Sequence, residues 1–316
     1  MTNKQYIPSL DQLDMRLIAE LETDASQTNT SLATKLGVDR TTIANRVQRL
    51  IDGNIIRPFC WFAPTLIGYR YAVIFLINVQ HGCDSYVADK LAANLRVSVV
   101  CLCTGRFSVH VWAQFRTGDD MLDFITNDLK PIKGIHHVEK LITIEEIKAS
   151  AIPLTDVNKS CQPESPTKVV LDDLDFKLIR ELQRDARQSS SELGRKLGIY
   201  QSTIFRRMRK LVDNHIIKIG IRYNPSVLGY EVVALMGMKS YLGKAREVAH
   251  TLASYDQVQY VNLCVGRYDL TTYVAFRSLT DLSDFINVEL AKIPGLRDIE
   301  TMLIYKTVKM SFDIEI

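Results

Sequence analysis

The sequence predicts an α+β protein in which one unit occurs twice in tandem: a helix-turn-helix domain, plain or winged, followed by a small ferredoxin-like domain of β-α-β-β-α-β order. Three observations carry this reading. Residues 10–57 and 171–218 align without a gap at an offset of 161, with 22 of 48 positions identical, and a repeat of this kind sets the architecture before any other feature. In both stretches a short helical pattern, a glycine turn and a second helical pattern follow one another, the mark of a helix-turn-helix. Beyond each stretch the apolar period changes from helical to strand-like.

In the first copy, apolar residues at 10, 13, 17, 18 and 21 predict a helix over Leu10 to Glu22 with one buried face. A second short helix fits Ser31 to Leu36, with Thr30 or Asn29 as its N-cap, and Gly37 ends it because glycine tolerates the left-handed backbone of a helix stop. Asp39 caps a third helix from Arg40 to Asp52, whose inner face is Ile43, Val47 and Leu50. The second copy repeats this with Leu193, Leu197, Gly198, Ile204, Met208 and Leu211. Tyr200 stands where Asp39 caps the first copy, which predicts a weaker, fraying helix start.

Strands are expected near Tyr71–Val79, Val97–Thr104, Ser108–Phe115 and Val138–Ile147, with helices over Ser85–Leu95 and Thr117–Leu129. The same order follows from Glu231 to Val308. Helices lie on one sheet face only, so the other face needs a cover. The matching sheet of a second copy is the simplest, which predicts a pseudo-dimer or oligomer joined through the α/β domains. Gly68-Tyr69 matches Gly229-Tyr230, and Cys103, Gly105 and Arg106 match Cys264, Gly266 and Arg267, so the repeat reaches the end of each copy. The expected domains are 1–60 and 171–221 (helix-turn-helix) and 61–148 and 222–316 (α/β). A proline-bearing linker is expected over 149–170.

Composition excludes several classes. The 316 residues are 47% hydrophobic and 24% charged, as in soluble globular proteins. No apolar run reaches the roughly 18 residues of a membrane span, and residues 1–10 lack a signal-peptide core, so a cytoplasmic protein with no membrane partner is expected. Six cysteines and six histidines fall in no disulfide framework and no zinc-ligand spacing, which predicts reduced cysteines, no metal and no cofactor.

The third helix of each copy carries the candidate chemistry. Its outer face offers Arg40, Thr41, Thr42, Asn45, Arg46 and Arg49 in the first copy, and Gln201, Ser202, Thr203, Arg206, Arg207, Arg209 and Lys210 in the second. Arg reads guanine bidentately and Asn or Gln reads adenine, while Ser, Thr and Lys hold phosphates. This predicts double-stranded DNA as a partner. Arg46 and Arg207 also have a competing use, as ion-pair partners for the acidic first helix. Residues 10–57 carry net charge −1 and residues 171–218 carry +4, so the second copy should supply more of the phosphate affinity.

Together these residues resemble the Lrp/AsnC family of feast/famine regulators. The matching run is Leu10-Asp11 through Asp14, Leu32-Ala33, Leu36-Gly37-Val38, Thr41-Thr42-Ile43, Arg46-Val47, Leu50 and Gly53 with Ile55-Ile56. The resemblance covers about residues 10–148 and 171–309, and the doubling is unusual, as though two ordinary members were joined. It implies a transcription regulator whose α/β domain, of the RAM type, drives assembly and binds an amino acid or related small molecule. It also implies an effector site at a Gly-x-Tyr-Asp turn, here Gly266, Tyr268 and Asp269. The first copy has Gly105-Arg106-Phe107-Ser108 and lacks the carboxylate, so the effector is expected in the second copy. Asp269 could instead only cap the turn.

Two other function classes remain in view. Siroheme decarboxylases share the fold and also pair two such units, but they carry a His-Asn-Tyr-x-Arg type motif where this chain has Val100 to Arg106 and Val261 to Arg267, without histidine or tyrosine. A ligand-sensing assembly protein that has lost DNA binding is the other.

Overall fold

The computed structural model describes residues 10–149, 170–225 and 229–311. It divides into two compact units that cut across the repeat. The first gathers both helix-turn-helix domains, and the second gathers both α/β domains.

In the first unit, helices α1 (Gln12–Thr23), α2 (Asn29–Leu36) and α3 (Arg40–Asp52) are followed by strand β1 (Ile56–Phe62). Asp11 caps α1 in a reciprocal box with Asp14. Leu17, Ile18, Leu21, Leu32, Ile43 and Leu50 are fully buried, the helical spacing having placed them on one face. The α2–α3 turn passes through Gly37 at φ 72°, a left-handed stop. Thr28, rather than Thr30 or Asn29, is the N-cap of α2, so the helix begins two residues earlier than its apolar pattern indicates.

The α/β elements of the first copy come next in the chain: β2 (Tyr71–Val79), α4 (Asp84–Ala92), β3 (Val97–Cys103), β4 (Val109–Phe115), α5 (Gly118–Asp123) and β5 (Ile135–Ala149). The second copy gives α6 (Asp173–Arg184), α7 (Ser190–Leu197), α8 (Gln201–Asp213) and β6 (Ile217–Tyr223). Its α/β part comprises β7 (Val232–Ser240), α9 (Ala245–Ala253), β8 (Val258–Val265), β9 (Leu270–Phe276), α10 (Leu279–Asp284) and β10 (Leu296–Met310).

Strands β1 and β6 were not expected. They form a two-stranded antiparallel ladder between the copies, with Ile56 opposite Tyr223 and Phe62 opposite Ile217. This ladder carries the helix-turn-helix unit to Ala63 and Gly229, past residues 60 and 221. Helix α1 packs on β6 and α6 on β1, so each copy's first helix rests on the other copy's strand. Arg187 strengthens the junction by donating to the carbonyls of Ala25 (3.2 Å) and Gln27 (3.4 Å) and to Oδ1 of Asn29 (3.0 Å).

In the second unit, each copy forms a four-stranded antiparallel sheet, and the two sheets close into an eight-stranded barrel of order β10-β3-β4-β2-β5-β8-β9-β7. The final strands make the closure. β5 pairs with its own β2 and with β8 of the other copy, and β10 pairs with β7 and with β3. That double pairing explains why β5 runs to Ala149, past the expected Ile147 and into the expected linker. The rest of that linker, 150–169, lies outside the described residues. Each sheet packs its own helices on its outer face, around Phe75, Phe115 and Phe124 in one copy and Val248, Phe276 and Phe285 in the other. The inner faces meet around Ile74, Cys101, Leu141, Leu235, Cys264 and Tyr268. The expected cover for the bare sheet face is therefore supplied within the chain.

Cys60, Cys101, Cys103 and Cys264 are buried free thiols that pack as small apolar groups, and Cys83 is half-buried. Among the described residues, no helix is long and apolar enough to cross a membrane.

Candidate DNA-reading helices and effector turn

Helix α3 starts where Asp39 accepts from the Thr42 amide at 2.8 Å. Helix α8 has no side-chain cap at Tyr200, yet it spans Gln201–Asp213, thirteen residues like its twin, so the expected fraying is not seen. Burial of Ile43, Val47 and Leu50, and of Ile204 and Leu211, turns one face of each helix inward. The opposite face is solvent-exposed. It presents Arg40, Thr41, Asn45 and Arg49 from α3, and Gln201, Ser202, Arg206, Arg209 and Lys210 from α8, with Thr42 and Thr203 half-buried.

Not every arginine on this face is available. Arg46 donates to Asp11 at 2.6 Å and to the fully buried Asp14 at 2.9 Å, and Arg49 also pairs with Asp14. Arg207 makes the corresponding contacts to Asp172 (2.7 Å) and Asp175 (2.9 Å). The Arg46 hydrogen bond holds the Asp11 carboxyl down at about 2, and Arg207 lowers that of Asp172 in the same way. Arg46 and Arg207 thus fasten the third helix to the first, the competing use the sequence left open. Among the described residues, Arg209 pairs only with the exposed Asp213, at 3.6 Å. Arg206 is exposed, and no ion pair or hydrogen bond is found for it among the described residues. Phe205, an aromatic residue on α8 that charge-based reading passed over, is also exposed, as is Tyr200 at the helix start.

The Gly266–Asp269 turn joins β8 to β9. Gly266 sits at φ 146°, and a Cβ there would fall 2.6 Å from the Lys140 carbonyl, so only glycine fits. Tyr268 is buried, and its ring lies against Gly237, where a Cβ would approach to 2.4 Å. The Tyr268 hydroxyl accepts from Arg267 Nε (3.1 Å) and donates to Glu300. Arg267 also reaches Glu139 (3.2 Å) and Glu300 (3.1 Å), positions related by the repeat offset, so one guanidinium bridges equivalent carboxylates of both copies. Arg267 stood out in the sequence only as the repeat partner of Arg106, and the glutamates not at all, since nothing local marks strands β5 and β10 as meeting at this turn. Asp269 Oδ2 accepts from the Ser240 amide (2.8 Å) and hydroxyl (3.2 Å), which caps the turn, while Oδ1 has no hydrogen bond among the described residues. The first copy has lost both members of this pair, with Val79 in place of Ser240 and Ser108 in place of Asp269.

Comparison with known proteins agrees with this anatomy. Residues 10–51 and 171–212 match the AsnC-type helix-turn-helix domain, and residues 233–314 match the Lrp/AsnC ligand binding domain. An uncharacterised HTH-type transcriptional regulator of Pyrococcus furiosus is 35% identical over 144 residues, 45% of this chain and 97% of the relative. The HTH-type transcriptional regulator FL11 of Pyrococcus abyssi is 32% identical over 150 residues, 47% of this chain and 99% of the relative. Each relative thus corresponds to about one copy of the repeat. A crystal structure of the siroheme decarboxylase NirDL superposes with a TM-score of 0.66 at 14% identity, covering 96% of this chain and 94% of that one, a likeness of fold. With both helix-turn-helix copies and a ligand-binding domain in place, the chain belongs to the Lrp/AsnC family of HTH-type transcriptional regulators, in a tandem, double-length form.

Proposed function

We propose that this regulator reads duplex DNA mainly through α8, with α3 as the weaker partner. The observation that carries this is the exposed basic face of α8, where Arg206, Arg209 and Lys210 face solvent while Arg207 is held by α6. Arg40 and Asn45 make the corresponding, sparser face on α3, where Arg49 is exposed but paired with Asp14. Arg46 and Arg207 act as fasteners of the fold rather than as readers of bases. Fluorescence anisotropy with the gene's own upstream DNA tests the reading. Saturable, salt-dependent binding that weakens in an Arg206→Ala, Lys210→Ala double variant supports it, and wild-type affinity in that variant overturns it.

The effector is an amino acid or a related molecule held at the Gly266–Asp269 turn. Asp269 Oδ1 accepts its ammonium, and Gly266 lets the backbone approach. Tyr268 holds the turn from beneath, because its hydroxyl is engaged by Arg267 and Glu300. Asp269→Asn should abolish any amino-acid effect on DNA binding and leave ligand-free DNA binding intact. We take the chain to act in the cytoplasm as a pseudo-dimer, associating further through its α/β unit, and to be non-catalytic. An absent Soret shift on adding siroheme would bear out the last point.

A further inference from the structure

Inside the barrel, between the two sheets, lies a cavity of about 50 Å³. Since a single water needs roughly 10–15 Å³ of such space, it seats several. Its wall is mostly apolar, and no Asp, Glu, Lys or Arg lines it.

Among the described residues, four polar side chains on that wall have a buried atom with no hydrogen-bond partner: His110 at Nδ1, Trp112 at Nε1, Asn262 at Oδ1 and Thr272 at Oγ1. His110 and Asn262 are 6% and 3% exposed. Burial pushes the His110 imidazole down to about 4, so the ring is neutral near pH 7. Buried polar groups in folded proteins are almost always hydrogen-bonded, so four unpartnered groups on residues around one cavity mark a place built to hold something.

The repeat shows how the cavity arose. Cys101 and Asn262, His110 and Thr271, and Trp112 and Tyr273 are pairs related by the 161-residue offset, and both members of every pair line the cavity. In a dimer of identical chains such positions carry the same residue twice. Here each pair differs, and the divergence puts donor and acceptor groups on different sides of one lopsided chamber.

We propose that this cavity is a second ligand site, separate from the Asp269 turn, for a small uncharged molecule that carries a hydrogen-bond donor beside an acceptor on a flat apolar body. A lactam or pyridone has this character. Its carbonyl accepts from the indole N–H of Trp112, its N–H donates to Asn262 Oδ1, and its ring lies against Ile74, Leu235 and Tyr273. A zwitterionic amino acid does not fit, because neither of its charges meets a counter-charge on the wall.

The test uses the full chain with ¹⁵N-labelled tryptophan. Its two tryptophans, Trp61 and Trp112, give two indole resonances, assigned by Trp61→Phe. Titration with 2-pyridone should move the Trp112 resonance saturably and leave Trp61 in place, and L-asparagine should move neither. Asn262→Cys, which installs the first copy's residue, should weaken 2-pyridone at least tenfold, and Asn262→Leu serves the same end if the cysteine variant misfolds. Asp269→Asn should leave this titration unchanged, which separates the site from the effector turn. An unmoved Trp112 resonance, meaning a chamber filled by water alone, would overturn the proposal. So would an equal response to L-asparagine, or wild-type binding in both Asn262 variants.

Discussion

Arg207 donates to both carboxylate oxygens of Asp172 at 2.7 Å across thirty-five residues of sequence, and Arg46 repeats the contact to Asp11 at 2.6 Å. Each arginine also reaches the buried aspartate one turn further on, Asp175 or Asp14, whose side chains are 4% and 0% exposed. Removing Arg207 takes away the ion-pair partner of Asp175, whereas Asp14 would still keep Arg49 if Arg46 were removed. Arg207→Ala should therefore destabilise the helix-turn-helix unit by about 1–3 kcal/mol in urea unfolding. Arg206→Ala should leave stability within about 0.5 kcal/mol of wild type and weaken DNA binding by about 1–3 kcal/mol. The opposite pattern would mean that Arg207 is the reader.

The third helices of the two copies, α3 and α8, differ at their caps, and the difference is open to correction. Tyr200 is exposed and gives α8 no side-chain cap. Tyr200→Asp should stabilise the unit by about 0.5–1 kcal/mol, and Asp39→Ala should cost about 1 kcal/mol, both read by thermal denaturation. A destabilising Tyr200→Asp would show that the tyrosine has a packing role that its exposure does not reveal.

Gly237 leaves room for the Tyr268 ring, and the first copy fills the equivalent places with Leu76 and Phe107. Gly237→Ala should force Tyr268 away from Glu300, lower stability by about 1–3 kcal/mol as overpacking does, and blunt any amino-acid response. Unchanged melting would mean that the ring moves without cost.

Two titratable groups, the buried His110 and the half-buried Glu146, give the α/β unit opposite acid and base limbs. His110 has its pKa lowered by burial from 6.5 to about 4, so its contribution is complete above pH 6.5 and is lost as pH falls toward 4. Burial raises Glu146 from 4.5 to about 7, so its contribution is complete below pH 4.5 and is lost as pH rises through 7. Each limb is worth up to about 3 kcal/mol. Glu146→Gln should flatten the decline between pH 5 and 8, and His110→Gln the decline between pH 6.5 and 4, in urea midpoints measured across pH. A wild-type slope in either variant would show that the group is solvated.

Much of the candidate reading helix was visible in the residues. Asp39, Ile43, Val47 and Leu50 are close in sequence, and helical spacing alone puts them on one face, so the outward set from Arg40 to Arg49 follows by subtraction. What subtraction could not tell was which outward arginines are free. Arg46 and Arg207 hold partners thirty-two to thirty-five residues away, and whether such an arginine folds back depends on how the first helix crosses the third. The turn shows the same division. Gly266 and Asp269 stand together in the chain, whereas Arg267, Glu139 and Glu300 meet only because β5 and β10 each pair with both copies.

The sequence alone determined the doubled α+β plan, the glycine helix stops and the strand order of each copy, because local backbone preference and apolar period act over a few residues. The tertiary structure alone decided that the copies exchange strands into one barrel and one β1–β6 ladder. It also decided that unlike residues at matching positions face each other across a common interior. Those outcomes depend on contacts between segments far apart in the chain, such as Ile142 with Val265 and Ile304 with Cys103, and the energy of such contacts comes from excluding water between surfaces rather than from any signal along the chain.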